Sequence, residues 1–382
     1  MKYYLIAGEA SGDLHGSLLM QGLKERDPQA DFRFRGGDRM AAVGGHKAGD
    51  YRDTAVMGLV ELLKKSRQIR SSLAACRSDI LAWKPDVLIL IDYPGFNLKI
   101  ARFAHENGLK VFYYIAPKVW ATRESRVEKL KRYVDRLFVI FPFEPDWFRR
   151  RGIEPVYEGN PLLDCIDSAM ETVPSRADFC ADNGLDAEKP VIALLAGSRL
   201  QEIGFLAPRY LKLVSLPGSD TRYSALGDCQ MVLAAAPGID SRVYEKYLPG
   251  IKVVYGQTYA LLHHSSAAVV ASGTASLETA LIGTPQVVCY GMNPLTFKLA
   301  MAVLKVRYVS LVNLILNKLT VKELLQDKCT PQSIADGLLE LICNGECRSR
   351  MLSGYADLRS ALGNGGAAES IASRMIELLI QY

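Results

Sequence analysis

No two histidines of this chain stand at metal-ligand spacing: His15, His46, His105, His263 and His264 form neither an HExxH nor an HxH pattern. The eight cysteines are scattered, and Cys343 and Cys347 make a CxxxC without the second pair that a zinc site needs. No structural or catalytic metal is therefore expected, and reduced thiols in a cytoplasmic protein fit the spacing best. The glycine-bearing loop after the first strand-like run lacks the G-x-G-x-x-G spacing of a dinucleotide fingerprint, which sets nicotinamide and flavin aside; no cofactor is expected. Long apolar runs are missing too. Residues 3–7 (YYLIA) are too short for a signal sequence and are interrupted by Gly8-Glu9, so they read as a buried first strand. Residues 300–319 are broken by Lys305, Arg307, Asn313 and Lys318 and fail the roughly 20-residue test for a spanning helix. An excess of either charge is also absent: 46 basic against 41 acidic residues give +5, too mild to imply nucleic acid.

What is there points to two α/β domains. A chain of 382 residues, 49% hydrophobic and 23% charged, is long enough for two cores and is ordinary for a globular protein. Residues 267–290 (AAVVASGTASLETALIGTPQVVCY) read as a complete strand, turn, helix and strand. Gly283 ends the helix and Pro285 blocks its continuation. A helix that starts directly after a buried parallel strand points free N–H groups into the crevice at the strand ends, where phosphate is the expected guest. If Thr274 caps this helix, a capping-box carboxylate falls at Leu277, so Glu278 is not needed there and can bind a ribose. Ser272-Gly273-Thr274 as a plain helix cap and Glu278 as a solvated helix residue is the other reading of this segment.

Earlier in the chain, residues 87–91 (VLILI) read as a strand buried on both faces, and Asp92 stands at its carboxyl end, where open α/β sheets bind ligands. Asp92 is a candidate general base; it is equally a residue that could orient the loop Tyr93-Pro94-Gly95-Phe96-Asn97. Residues 32–34, 111–115, 137–141 and 156–157 continue the alternation, and Gly159-Asn160-Pro161 reads as a hinge. A second series starts with residues 191–196. Its first loop, Gly197-Ser198-Arg199 with Glu202 at the following helix start, suits a diphosphate, because guanidinium makes bidentate charge-assisted contacts without a metal. Residues 231–236 and 252–254 extend this series, with Gly256-Gln257 at another crevice edge. Between residues 57 and 83 an amphipathic basic stretch carries Lys64, Lys65, Arg67 and Arg70; it is either a core-facing helix pair or one that lies on an anionic membrane. The runs 118–136 and 149–151 are locally basic as well, with solvated helix faces as the default reading.

Taken in order, these pieces resemble the family of bacterial lipid-A-disaccharide synthases, glycosyltransferases with two Rossmann-like domains facing across a cleft, the GT-B arrangement. The resemblance covers nearly the whole chain. It rests on Ala7-Gly8-Glu9-Ala10-Ser11-Gly12-Asp13, Asp92-Tyr93-Pro94-Gly95-Phe96-Asn97, Ala116-Pro117-Lys118-Val119-Trp120-Ala121, Pro142-Phe143-Glu144, Gly197-Ser198-Arg199 with Glu202, Ser272-Gly273-Thr274-Ala275 with Glu278, and Val321-Lys322-Glu323-Leu324-Leu325-Gln326. Ala196, Asn160 and Val312 depart from the pattern, standing where proline, histidine and proline are common; Asn160 puts a role for that histidine in doubt.

The resemblance implies an acceptor and membrane-facing domain over residues 1–165 and a UDP-sugar domain over 166–365, with room for a terminal helix of about 366–382 to pack back on the first. It implies an inverting transfer from UDP-2,3-diacylglucosamine to 2,3-diacylglucosamine 1-phosphate (lipid X), giving the β-1,6-linked disaccharide and UDP. Asp92 would be the base, with Glu9 and Ser11 as further catalytic choices. Gly197, Ser198, Arg199, Glu202, Gln257, Ser272, Gly273, Thr274, Ala275, Glu278, Asn313 and Gln326 would hold the donor. Lys64, Lys65, Arg67, Arg70 and Trp120 would face membrane and acceptor, placing the protein peripherally on the cytoplasmic face of the inner membrane, where a homodimer is compatible. Another UDP-N-acetylglucosamine-type transferase, a UDP-sugar epimerase, and a non-catalytic nucleotide-sugar or lipid binding protein are the alternatives.

Overall fold

The computed structural model describes residues 1–54, 61–292, 297, 306–363 and 365–381, with the side chains of 53–54 and 61–67 outside the description. The chain divides into two compact units, Met1–Asp164 with Asn364–Tyr382, and Cys165–Gly363.

The first unit is built on seven parallel strands: β1 (Lys2–Ala7), β2 (Asp31–Gly36), β3 (His46–Asp50), β4 (Val87–Ile91), β5 (Val111–Tyr114), β6 (Arg136–Val139) and β7 (Val156–Tyr157). Their order is β3-β2-β1-β4-β5-β6-β7. All five residues of β4 are buried, as a strand covered by helices on both faces requires. On one face, helices Glu61–Trp83 and Pro94–Glu106 contribute Leu73, Cys76, Ile80, Phe96 and Ile100 to the core. Helix Ala10–Arg26 packs against the terminal helix Ala367–Ile380, where a β-carbon at Gly22 would stand 3.0 Å from that of Ala372. Asp164 fixes the return of the chain by accepting the N–H groups of Gly366 (2.5 Å) and Ala368 (3.2 Å).

The second unit repeats the plan with six parallel strands: β8 (Val191–Leu195), β9 (Gln230–Ala234), β10 (Lys252–Val254), β11 (Ala267–Ala271), β12 (Gln286–Tyr290) and β13 (Lys322–Leu325). Their order is β10-β9-β8-β11-β12-β13. Two strands escape the apolar-run reading: β3 (HKAGD), an edge strand with no fully buried residue, and β13, the opposite edge of the second sheet. An edge strand with little to bury need not announce itself by hydrophobicity.

In each sheet the strand order reverses once, between β1 and β4 in the first and between β8 and β11 in the second. Loops leaving neighbouring strands in opposite directions open a crevice at these points, the usual ligand position of open α/β sheets. No helix among the described residues is long and apolar enough to cross a membrane.

Candidate functional site

At the first switch point the loops after β1 and β4 meet. Asp92 and Tyr93 both adopt left-handed backbone, φ 44° and 48°. Such strain persists only where the surroundings enforce it. Here the Asp92 carbonyl accepts the Tyr113 hydroxyl (2.6 Å) and the Asn97 amide (2.8 Å), while the same amide also reaches Ile91 O at 3.2 Å. Burial, with the Asp92 charge added, pushes the Tyr113 hydroxyl far above its ordinary pKa, so it stays protonated and donates. The backbone of Asp92 is thus held from two sides, and the residue is half-buried at the crevice. Tyr93 stacks on Phe96 with ring centroids 5.6 Å apart, and its ring lies over Gly8, where any β-carbon would fall inside it. Gly8 is therefore glycine for close approach. Glu9 and Ser11 are exposed at the start of helix Ala10–Arg26. Asp13, from the same loop, is spent internally: its buried carboxylate accepts the N–H groups of Gly37 (2.6 Å), Arg39 (3.1 Å) and Met40 (3.2 Å).

Trp120 does not face membrane or acceptor. It is 6% exposed, sits edge-on to Phe141 and Phe143, and donates its indole N–H to Glu144 (2.9 Å). The other Glu144 oxygen accepts the N–H groups of Ile140 (3.0 Å) and Phe141 (2.9 Å). Complete burial pushes this carboxyl up to about 7 against the pull of those three donors. An indole whose polar atom finds a partner inside can be buried whole, which the sequence alone does not reveal. Asn160, where histidine is common in the resembling pattern, bonds Ile140 O (3.1 Å) and accepts Leu162 N–H (3.0 Å), so it ties the loop after β6 to the next helix.

At the second switch point β8 and β11 pair directly, with Val270 opposite Leu195, so the loops Gly197-Ser198-Arg199 and Ser272-Gly273-Thr274 leave adjacent strand ends. The nine-residue helix Thr274–Ile282 begins at Thr274, not after it, and the residue in the cap position is Gly273. Among the described residues no side chain caps its first turn, which favours an anion there. Ser272 anchors the loop by donating its hydroxyl to Val309 O (3.0 Å), and Ala275 packs on the core below. Arg199 has a side chain 63% exposed and an ion pair with Glu202 at 3.1 Å, a contact worth little in water.

Glu202 caps the helix Leu200–Ser219. Its carboxylate accepts the N–H groups of Ser198 (3.0 Å) and Arg199 (3.2 Å), and Gly197, at φ 91°, has no room for a β-carbon beside it. Four further residues have intramolecular partners. The buried amide of Asn313 bonds Val321 O (2.9 Å), Glu323 (2.8 Å) and the N–H groups of Thr320 (2.7 Å) and Val321 (2.9 Å), leaving it no capacity for a ligand. Gln326 pairs both ways with the backbone of Met292, at 3.2 and 2.8 Å. Gln257 accepts from Asn183 (2.9 Å). Glu278 is half-buried and accepts the Tyr259 hydroxyl at 2.9 Å, so it is oriented rather than free. Among the described residues no group of three or more His, Cys, Asp or Glu side chains could hold a metal ion. Arg70 is exposed on helix Glu61–Trp83; the side chains of Lys64, Lys65 and Arg67 lie outside the described residues.

Apolar-pattern reading missed Tyr113, Asn97 and Tyr259, which hold Asp92 and Glu278. Asn97 alone left a trace, as the last residue of the loop motif.

Two parallel α/β units, each with one switch point, are the plan of the GT-B fold. Over 99% of this chain and all of the other, the structure resembles UDP-GlcNAc 2-epimerase from Neisseria meningitidis, solved with UDP-GlcNAc, at a TM-score of 0.68 and 13% identity, a likeness of fold alone. In sequence, the profile of the family described as lipid-A-disaccharide synthetase matches residues 3–367. Lipid-A-disaccharide synthase of Myxococcus xanthus is 37% identical over 98% of this chain and 97% of its own length, and that of Trichlorobacter lovleyi 34% over 99% and 97%. The chain belongs to the lipid-A-disaccharide synthetase family.

Proposed function

We propose that this protein joins UDP-2,3-diacylglucosamine to 2,3-diacylglucosamine 1-phosphate, with inversion at the anomeric carbon, to give the β-1,6-linked disaccharide and UDP. Family membership supplies the coarse activity, glycosyl transfer in lipid A disaccharide synthesis from UDP-sugar and lipid substrates. The observation that carries the finer reading is the second switch point, where Arg199 stands one strand away from a helix start that no side chain among the described residues caps. Both features favour the diphosphate most strongly when the bond to the sugar breaks and charge collects on UDP. Glu278, oriented by Tyr259, takes the ribose. At the first switch point Asp92 accepts the proton of the attacking acceptor hydroxyl, and Glu9 is the second choice for that role. Purified protein given the UDP-sugar and lipid X should yield disaccharide plus UDP. An isomerised sugar would instead mark an epimerase, the activity of a fold relative only 13% identical, and unchanged ligands would mark a binding protein.

Both substrates carry acyl chains, at about 0.8 kcal/mol for each buried methylene, so they stay in the bilayer and the enzyme must reach them there. We place it on the cytoplasmic surface of the inner membrane through the basic start of helix Glu61–Trp83. The helix turns Ile69, Leu73, Cys76 and Ile80 onto the core, while Arg70 is exposed. Each cation contributes on the order of 1 kcal/mol near anionic lipid. Changing Lys64, Lys65, Arg67 and Arg70 together to glutamate should reduce sedimentation with anionic vesicles and activity on vesicle-borne acceptor, with UDP affinity unchanged. Equal vesicle binding at low salt would show the stretch to be a solvated face.

A further inference from the structure

The second sheet leaves one aromatic ring in water at its carboxyl edge. Tyr255 directly follows β10 and is 52% exposed; among the described residues it is the only aromatic in the group of large apolar side chains left this open. The ring is nevertheless held in place. Tyr244, 1% exposed, meets it edge-on with centroids 6.5 Å apart at 70°, and the Tyr244 hydroxyl is itself fixed by accepting the Ala236 N–H at 2.7 Å, just past the end of β9. Gly256 follows with φ 69°, and nothing lies within 4 Å of where its β-carbon would stand, so the loop is open on the side next to the ring. Three residues further on, Tyr259 donates to Glu278. One short loop therefore joins an exposed, braced aromatic ring to the carboxylate assigned to the ribose.

A ribose carries its base on the next atom, and that base is flat and has two faces to cover. β10 lies two strands from β8, about 10 Å at the usual spacing, and the Tyr259–Glu278 hydrogen bond brings the ribose carboxylate across to the Tyr255 loop. We propose that Tyr255 is the platform on which the base of the nucleoside diphosphate stacks. The assignment rests on the reading of the second unit as the donor site. Stacking on a phenol ring contributes affinity for any flat base, so Tyr255 strengthens nucleotide binding without choosing uracil.

Calorimetric titration of wild type, Tyr255→Ala, Tyr255→Phe and Tyr255→Trp with UDP, and separately with inorganic diphosphate, tests this. The alanine variant should bind UDP about tenfold more weakly, with the phenylalanine and tryptophan variants within about twofold of wild type. Inorganic diphosphate has no base, so its affinity should be the same in all four proteins. In turnover the donor KM should rise in the alanine variant while acceptor KM and kcat hold. Unaltered UDP affinity in Tyr255→Ala overturns the platform and leaves the donor site standing. An equal loss for UDP and diphosphate overturns it too, since the ring would then be shaping the loop. A wild-type protein that binds no UDP overturns the donor-site reading and this assignment with it.

Discussion

Replacing Asp92 with asparagine should lower turnover by roughly 10²–10⁴ while leaving UDP affinity where it was. The substitution is a clean one at this position. Asparagine tolerates the left-handed backbone that residue 92 adopts, and Tyr113 and Asn97 hold the carbonyl of that residue, not its side chain, so the strained turn survives the change. What is lost is a carboxylate able to take the proton of the acceptor hydroxyl. Steady-state kinetics with saturating donor, alongside a UDP titration, reads both halves of the expectation. Turnover near the wild-type rate would move the base elsewhere, and Glu9, exposed across the same switch point, would be examined next.

Truncating Arg199 or Glu278 to alanine should each weaken UDP binding by about 1.5–3 kcal/mol, roughly 10- to 150-fold, through loss of one charge-assisted contact. The fold should hold in both variants. Without the Arg199 side chain, Glu202 still accepts the backbone N–H groups of residues 198 and 199, so the helix Leu200–Ser219 keeps its cap. Without Glu278, the half-buried Tyr259 hydroxyl loses one acceptor, and water can replace it. Thermal melts followed by circular dichroism would confirm the fold and calorimetry the affinity. Wild-type UDP affinity in both variants would remove the case for the second unit as the donor site.

Much of the candidate site is legible in the sequence because it is made of local features. A run such as VLILI has to be a buried strand, a glycine or an acid just past it has to stand at the carboxyl edge, and Gly283 with left-handed backbone, φ 93°, ends its helix as a glycine there should. Arg199, Glu278 and Asp92 could be singled out on that basis, together with the order of motifs that marks the family. Glu202 and Trp120 are read from the same loops and Asn313 and Gln326 from the resemblance, and the fold supplies all four with partners of their own. Each is polar or amphipathic at a turn or a helix start, which is what a ligand contact looks like when only the neighbours in sequence are known.

By itself, then, the sequence determined the alternation of parallel strands and helices, the glycine-bearing loops at the strand ends and the family. Tertiary structure decided the strand order, and with it the two switch points, and it decided which polar side chains remain available to a substrate. The reason is the rule that a buried polar group must find a partner. Asn313 satisfies four hydrogen bonds at once because Thr320, Val321 and Glu323 fold back onto it, and Trp120 can be buried because Glu144 arrives from another loop to accept its N–H. Those partners lie 7 to 24 residues away in the chain, and only the folded backbone brings them within 3 Å.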